Sequence, residues 1–120
     1  MRLEIAPDRR LNNDGKRMLR GSVARSVITP PLGMTMVGYD GRESVAQGLD
    51  SDLTATALAL ENNGTRVSLV RFDLAFLLEP FVGQLRDAMG VALRAPRSHI
   101  LLNFSHIHCG PTVNGYSDSA

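Results

Sequence analysis

The sequence has almost no cysteine, no excess of charge and no long apolar segment. Its single cysteine, Cys109, has no partner for an internal disulfide, so the cysteine content points only weakly to a reducing compartment. Thirteen basic and twelve acidic residues leave a formal charge of +1. A chain this close to neutral has no strong field that would concentrate nucleic acid or anionic lipid, so we expect neither as a partner.

Membrane-spanning and secretory segments are also missing. No stretch approaches the roughly twenty apolar residues that cross a bilayer, so we expect no stable membrane insertion. Residues 1–8 lack the uninterrupted apolar core of a secretory signal. We therefore expect a soluble, cytoplasmic protein, or a secreted or periplasmic one if an upstream signal is missing from the sequence.

The length of the chain limits the number of domains. At 120 residues, 43% of them hydrophobic, the chain has enough apolar side chains for one compact core. Residues 1–20 are polar, rich in arginine and contain the turn sequence Asn-Asn-Asp-Gly at 12–15, which predicts a flexible arm. We place the single domain at residues 21–120.

Three strand-like segments open this domain. Residues 21–29 predict a short strand, because two consecutive prolines follow it and can donate no ladder hydrogen bonds. Residues 53–61 and 66–73 are also strand-like, and they flank an Asn-Gly pair. Asn63 and Gly64 tolerate the positive φ angles of a tight turn, so the two segments are predicted to form a β-hairpin.

The next segments predict a right-handed βαβ unit, which makes the fold α/β with a mixed sheet. Apolar residues at helical spacing predict a helix over 80–94, and the apolar segment 99–105 predicts a buried strand parallel to strand 66–73. The carboxyl ends of parallel strands share one rim of the sheet, where open α/β sheets place ligands. Asp73 ends one strand and His106 follows the other, so both are expected at this rim.

The densest coordinating chemistry of the chain is His106-Ile107-His108. Alternate side chains of an extended segment point the same way, so the two imidazoles would face one cavity and offer nitrogen ligands to zinc. The alternative is that the histidines only cap the strand and bond to neighbouring backbone. His99, at the opposite end of the same strand, is predicted to be a hydrogen-bonded or exposed residue at the strand entry.

Two neighbouring side chains have a less defined role. Cys109, next to the two histidines, invites two further readings, a third zinc ligand or an imidazole-activated nucleophile, and the sequence favours neither of them. Asp73 is predicted either to hold the second ring nitrogen of a ligating histidine or to cap the turn that follows its strand.

Several separated segments together resemble the neutral or alkaline non-lysosomal ceramidases. The Ser-His-Ile-His-Cys-Gly-Pro segment resembles the family's THTHSGP signature, and the earlier segments resemble its ITPP and GY motifs, its apolar strand and its strand ending in aspartate. The matching segments are 28–34, 37–39, 48–58, 65–74 and 105–111. They occur in the family's order and extend over about residues 21–116, which makes the combination more specific than any one motif.

This resemblance implies the N-terminal part of a zinc-dependent hydrolase that cleaves ceramide, with a metal-activated water, into a fatty acid and a sphingoid base. It implies zinc as cofactor, with His106 and His108 as metal-binding residues, and a catalytic role for His108. The resemblance adds no new role for Asp73, which is still expected to hold a ligating histidine or to cap the turn after its strand. The remaining zinc ligands of the family come from far downstream, so this part alone is expected to be inactive.

Three differences from the family's histidine motif leave the identity of the substrate open. Ile107 and Cys109 replace a threonine and a serine of the family, and residues 112–114 replace a glycine-rich continuation. A lipid-like amide other than ceramide, or an ester, is therefore an alternative substrate. Two alternative functions also stay open, an amidohydrolase-type barrel enzyme and a non-catalytic metal-binding or remnant module.

Overall fold

The computed structural model describes residues 19–42 and 44–113 of the chain. These residues form a four-stranded mixed sheet with one α-helix, so the predicted α/β class is confirmed. The predicted arm over residues 1–20 lies almost entirely outside the described residues. The elements are β1 Arg20–Val27, β2 Thr54–Asn62, β3 Thr65–Phe72, α1 Phe81–Leu93 and β4 Ile100–Phe104, with a short 3-10 helix over Arg97–His99.

The predicted hairpin forms between β2 and β3, which pair antiparallel from Ala55 opposite Phe72 to Asn62 opposite Thr65. Its two turn residues have φ angles of 49° at Asn63 and 78° at Gly64. Positive φ at both positions is what a two-residue turn between right-twisted strands requires, and asparagine and glycine adopt it at low cost. β1 pairs antiparallel with β2, which gives the sheet order β1-β2-β3-β4.

The chain crosses from β3 through α1 to β4, and β3 and β4 are parallel as predicted. The right-handedness of this crossover stays a prediction. α1 ends at Leu93, where Arg94 takes the left-handed conformation with φ 52° and its N–H bonds to carbonyls of the last turn. α1 has 13 residues, and no helix in the described ranges is long and apolar enough to cross a bilayer.

The two faces of the sheet differ in burial. On β3, Val70 is 2% exposed, whereas Val67 and Leu69, on the opposite face of the strand, are 42% and 41% exposed. The Arg66 guanidinium, on the same face as Val70, donates to the carbonyl of Leu93 at 2.7 Å. This bond places the end of α1 over the buried face. The core therefore lies between α1 and one face of the sheet.

The long loop between β1 and β2 folds back against the segment after β4. Its ends are joined where the Ile28 N–H donates to the Leu53 carbonyl at 2.8 Å. Further along, Met36 pairs with Pro111 in an isolated antiparallel bridge, and Val37 is only 3% exposed. The loop thus packs directly against the residues that follow the two histidines.

Candidate metal centre

The carboxyl ends of β3 and β4 form one rim, as the topology predicted. Beyond the last ladder pair, the Ser105 N–H donates to the Phe72 carbonyl and the His106 N–H to the Leu74 carbonyl, both at 3.0 Å. The Phe72 and Phe104 rings stack behind this rim with their centroids 5.7 Å apart. The chain after β4 therefore stays attached to the chain after β3, which brings Asp73 and His106 to the same edge of the sheet.

His106 is exposed, and its ring is oriented by one backbone group. Its Nδ1 lies 3.1 Å from the Ala75 carbonyl oxygen. A carbonyl oxygen only accepts hydrogen bonds, so Nδ1 carries the proton and a neutral ring keeps its lone pair on Nε2. A ligating histidine commonly has this arrangement, with one nitrogen bonded to an oxygen acceptor and the other left for the metal.

The His108 ring lies beside the His106 ring, with the centroids 5.0 Å apart and the planes at 76°. The route to this proximity differs from the prediction, which assumed an extended segment. His106 has a φ of 57°, the left-handed conformation, so the chain turns sharply at the first histidine. The two imidazoles are neighbours because of this turn and not because of strand alternation.

Asp73 bonds to the sheet and not to a histidine. Its Oδ2 accepts hydrogen bonds from the Thr54 hydroxyl at 2.7 Å and the Thr54 N–H at 3.0 Å, and its Oδ1 lies 2.9 Å from a nitrogen of Arg71. The Thr54 hydroxyl, above all, lowers the pKa of the Asp73 carboxyl below its usual value, while burial acts in the opposite direction. The oxygen that orients His106 is the Ala75 carbonyl, whereas one of the two roles predicted for Asp73 would have its carboxylate bond to a histidine.

Cys109 is a free, exposed cysteine that follows the histidine pair. Within residues 19–42 and 44–113, no three side chains of the histidine, cysteine, aspartate or glutamate type come together as metal ligands. His99 lies at the far end of β4, and its Nδ1 is 2.9 Å from the Arg66 carbonyl oxygen. Its predicted role as a hydrogen-bonded residue at the strand entry is confirmed.

A cleft of about 690 Å³ opens beside the histidine loop, between that loop and the long loop after β1. His108, Cys109 and Asp73 line it, whereas His106 stands outside its wall. Most of its wall is apolar, with Pro31, Leu32, Met34, Met36, Leu49 and Ile107 among the lining residues. A larger depression of about 980 Å³ lies at the opposite end of β4 and includes His99 but neither His106 nor His108.

His108 also contacts the turn 38–42, and the sequence alone does not predict these contacts. The Gly-Tyr pair in this turn entered only as part of a family resemblance, and no local pattern marks Arg42 as a partner of His108. The Arg42 guanidinium nevertheless donates to the His108 carbonyl at 2.9 Å across 66 positions of sequence. Only the folding of the long loop brings these residues together.

A comparison with solved structures finds neutral ceramidase from Pseudomonas aeruginosa, with a TM-score of 0.67 and 22% sequence identity. The chain shares its fold with a segment of that enzyme. The match covers 78% of this chain and 16% of the ceramidase chain, so this chain corresponds to less than a fifth of that protein. No protein-family model matches the sequence, and no curated protein matches it significantly.

The similarity confirms the resemblance at the level of fold. The strand pairing tests the alternative of an amidohydrolase-type barrel, in which all barrel strands are parallel. Here two of the three strand pairings are antiparallel, β1 with β2 and β2 with β3. The described sheet therefore does not have the arrangement of such a barrel.

The two histidines are ligands of the chemical type that zinc prefers, but two ligands are fewer than a catalytic zinc site requires. Two adjacent imidazoles, one with Nε2 left for a metal, match the nitrogen ligands that zinc prefers. A catalytic zinc site uses three protein ligands and keeps one position open. The described residues offer two, so further ligands would have to come from protein outside the described ranges.

Proposed function

We propose that this chain contributes the first part of the metal site of a zinc-dependent amide hydrolase of the neutral ceramidase type. The observation that carries the proposal is the proximity of His106 and His108 at a sheet rim, with the ring of His106 oriented through Nδ1. The shared fold with neutral ceramidase from Pseudomonas aeruginosa supports the same reading. The proposed substrate class is ceramide or a related lipid-like amide.

In this proposal His106 binds the metal through Nε2, and the Ala75 carbonyl keeps the ring in the required tautomer. His108 is the second metal-binding residue or contacts the reacting amide from the cleft side. Zinc, when bound, would polarise the amide carbonyl and lower the pKa of a water molecule towards neutrality. The apolar cleft beside His108 supports a lipid-like substrate, because its wall would bury part of an alkyl chain.

Asp73 has a structural part in this proposal. It holds the end of β3 to the start of β2 through Thr54, and so fixes the base of the rim from which the histidines emerge. A substitution at Asp73 would therefore act on the site through the stability of the sheet. The further zinc ligands and the rest of the substrate site are proposed to come from protein outside the described residues.

A metal-binding test on the 120-residue chain addresses the first part of the proposal. Zinc is titrated into the chain, and bound metal is measured by equilibrium dialysis with elemental analysis. We expect one zinc ion per chain, with weak affinity because two ligands are described, and loss of binding in His106→Ala and in His108→Ala. His99→Gln is the matched control and should bind like the wild type. Equal binding by all four proteins, or none by the wild type, would contradict the proposal.

The activity is tested on the native polypeptide that carries this sequence. Release of fatty acid from ceramide should require zinc, stop after chelation and return when zinc is restored. His106→Ala should remove it. The non-catalytic metal-binding module is the second candidate, favoured by the two described ligands; zinc binding without amide hydrolysis would decide for it.

A further inference from the structure

The turn 38–42 makes a set of contacts with His108 that the proposed function leaves unexplained. At Gly38 the backbone has a φ of 114°, and a Cβ atom built there would lie 2.6 Å from both Cβ and Cγ of His108. No real side chain tolerates such a distance, so the backbone of the turn lies directly against the base of the imidazole. Any larger residue at position 38 would push the histidine away.

The Tyr39 ring meets the His108 ring edge to face, with the centroids 5.3 Å apart and the planes at 86°. Aromatic rings prefer this geometry because the positive edge of one ring meets the negative face of the other. Tyr39 is 54% exposed, so burial of its own surface does not account for its position. The contact with the His108 ring is therefore one of the features that hold the Tyr39 ring in place.

Arg42 joins both residues. Its guanidinium carbon lies 4.7 Å from the centroid of the Tyr39 ring, within the range of a cation–π contact, and its Nη1 donates to the His108 carbonyl at 2.9 Å. The Arg42 N–H also donates to the Tyr39 carbonyl at 3.2 Å, which closes the turn. One planar side chain therefore holds the tyrosine ring and the histidine backbone at the same time.

We infer that Tyr39 and Arg42 are positioning residues that fix the rotamer of His108 relative to His106. The orientation of the His108 ring is inferred from geometry alone. The expected effect on metal affinity rests on the proposed function. His106 is oriented by a hydrogen bond at its ring nitrogen, whereas His108 is held by a ring contact, a backbone contact and a hydrogen bond to its carbonyl. The two histidines thus receive their orientation from different parts of the chain.

Substitutions separate the ring contact from the backbone contact. Tyr39→Leu removes the aromatic edge and keeps an apolar side chain, whereas Tyr39→Phe keeps the ring. Arg42→Lys keeps a positive charge and a donor but loses the planar group that stacks and donates together. Arg20→Lys makes the same exchange at an exposed arginine at the start of β1 and is the matched control.

Two readouts are taken on each protein after a circular dichroism melt has shown that it folds. The first is the set of His106, His108 and His99 ring resonances in NMR spectra, with the cross-relaxation between the rings of Tyr39 and His108. The second is the affinity for zinc alone. We expect Tyr39→Leu and Arg42→Lys to move the His108 resonances, to leave those of His99 in place and to weaken zinc binding by about 10-fold, as loss of groups that orient metal ligands does. Tyr39→Phe should keep both the His108 resonances and the zinc affinity of the wild type.

The outcomes distinguish the inference from the proposed function. If folded Tyr39→Leu and Arg42→Lys keep the wild-type His108 resonances and zinc affinity, the positioning role is overturned while zinc binding stands. If the wild type binds no zinc but the His108 resonances move in these variants, the positioning role stands and the proposed function is overturned. A change in Arg20→Lys equal to that in Arg42→Lys would show that the effect does not depend on the contacts of Arg42, and would overturn the inference.

Discussion

The Thr54 hydroxyl donates a hydrogen bond of 2.7 Å to the Asp73 carboxylate and joins the first residue of β2 to the residue that follows β3. The Asp73 N–H donates back to the Thr54 carbonyl at 2.9 Å, so the two residues are joined in both directions. Thr54 is only 5% exposed, and Arg25 of β1 contacts its hydroxyl at 3.4 Å. Three strands therefore meet at this point, directly behind the rim that bears the histidines.

Loss of the Asp73 charge should destabilise the fold. Asp73→Asn weakens the two hydrogen bonds from Thr54 and the ion pair with Arg71, and hydrogen bonds to charged groups contribute about 1.5–3 kcal/mol. We expect a fall of that size in the free energy of unfolding, measured by urea denaturation near neutral pH. Asp87→Asn is the control, because the ion pair of Asp87 with Arg97 has side chains that are 60% and 53% exposed. Asp87→Asn should lower the free energy of unfolding by less than about 1 kcal/mol. Equal costs would contradict the role of Asp73.

The stability of the chain should fall in acid, and Asp73 should account for part of the fall. The pKa of Asp73 is lowered from an ordinary value of 3.8, first by the Thr54 hydroxyl and further by the Thr54 N–H and the charges of Arg71 and Arg25. The folded state therefore binds this proton less readily than the unfolded state. The stabilisation is complete above the unfolded pKa and disappears as the pH falls through the lower, folded pKa.

Urea denaturation of the wild type and of Asp73→Asn between about pH 6 and pH 2 measures this contribution. The two stabilities should converge below pH 3.8, because the carboxyl then approaches the neutral state that asparagine imitates. Glu61, whose pKa is lowered by Arg66, titrates in both proteins and cancels in the comparison. A constant difference across this range would show that the charge of Asp73 does not stabilise the fold.

Two valines on β3 test the assignment of the buried face. Val70 is 2% exposed and Val67 is 42% exposed, although both lie in the same strand. Replacement of valine by alanine loses the same strand propensity at either position. The difference between the two losses in free energy of unfolding therefore measures packing. We expect Val70→Ala to lower the free energy of unfolding by about 2 kcal/mol and Val67→Ala by less than about 1 kcal/mol. Thermal and urea unfolding check this, and a larger loss at Val67 would place the core on the other face.

Local patterns were enough to predict the elements and their order. The Asn63-Gly64 pair, the helical spacing of apolar residues in α1 and the apolar run of β4 each fix a structure through neighbours in the sequence. The structure moves the start of β4 to Ile100, because His99 ends a turn of 3-10 helix, and the predicted burial of this strand is wrong at Leu101, which is 59% exposed. The helix predicted between β3 and β4 makes them a βαβ unit, and this unit predicts their parallel pairing.

The site was predicted less completely, and the reasons are physical. Strand alternation predicts that the two histidines face the same way, but their proximity depends on a left-handed turn at His106, which the strand-like pattern of this segment does not indicate. The sequence leaves two roles open for Asp73, holding a histidine or capping the turn after its strand, and neither identifies Thr54, which lies 19 positions away, as the partner of its carboxylate. Hydrogen-bond partners across such separations depend on sheet register and on competing donors.

By itself the sequence determined the α/β class, the hairpin, the parallel unit and the rim at which Asp73 and His106 meet, because these follow from periodicity and turn chemistry within short segments. Only the tertiary structure decided which oxygen orients His106, which residue holds Asp73, and that Tyr39 and Arg42 lie against His108. These contacts join segments far apart in the chain, and their energies depend on distances of a few ångströms that no local pattern specifies.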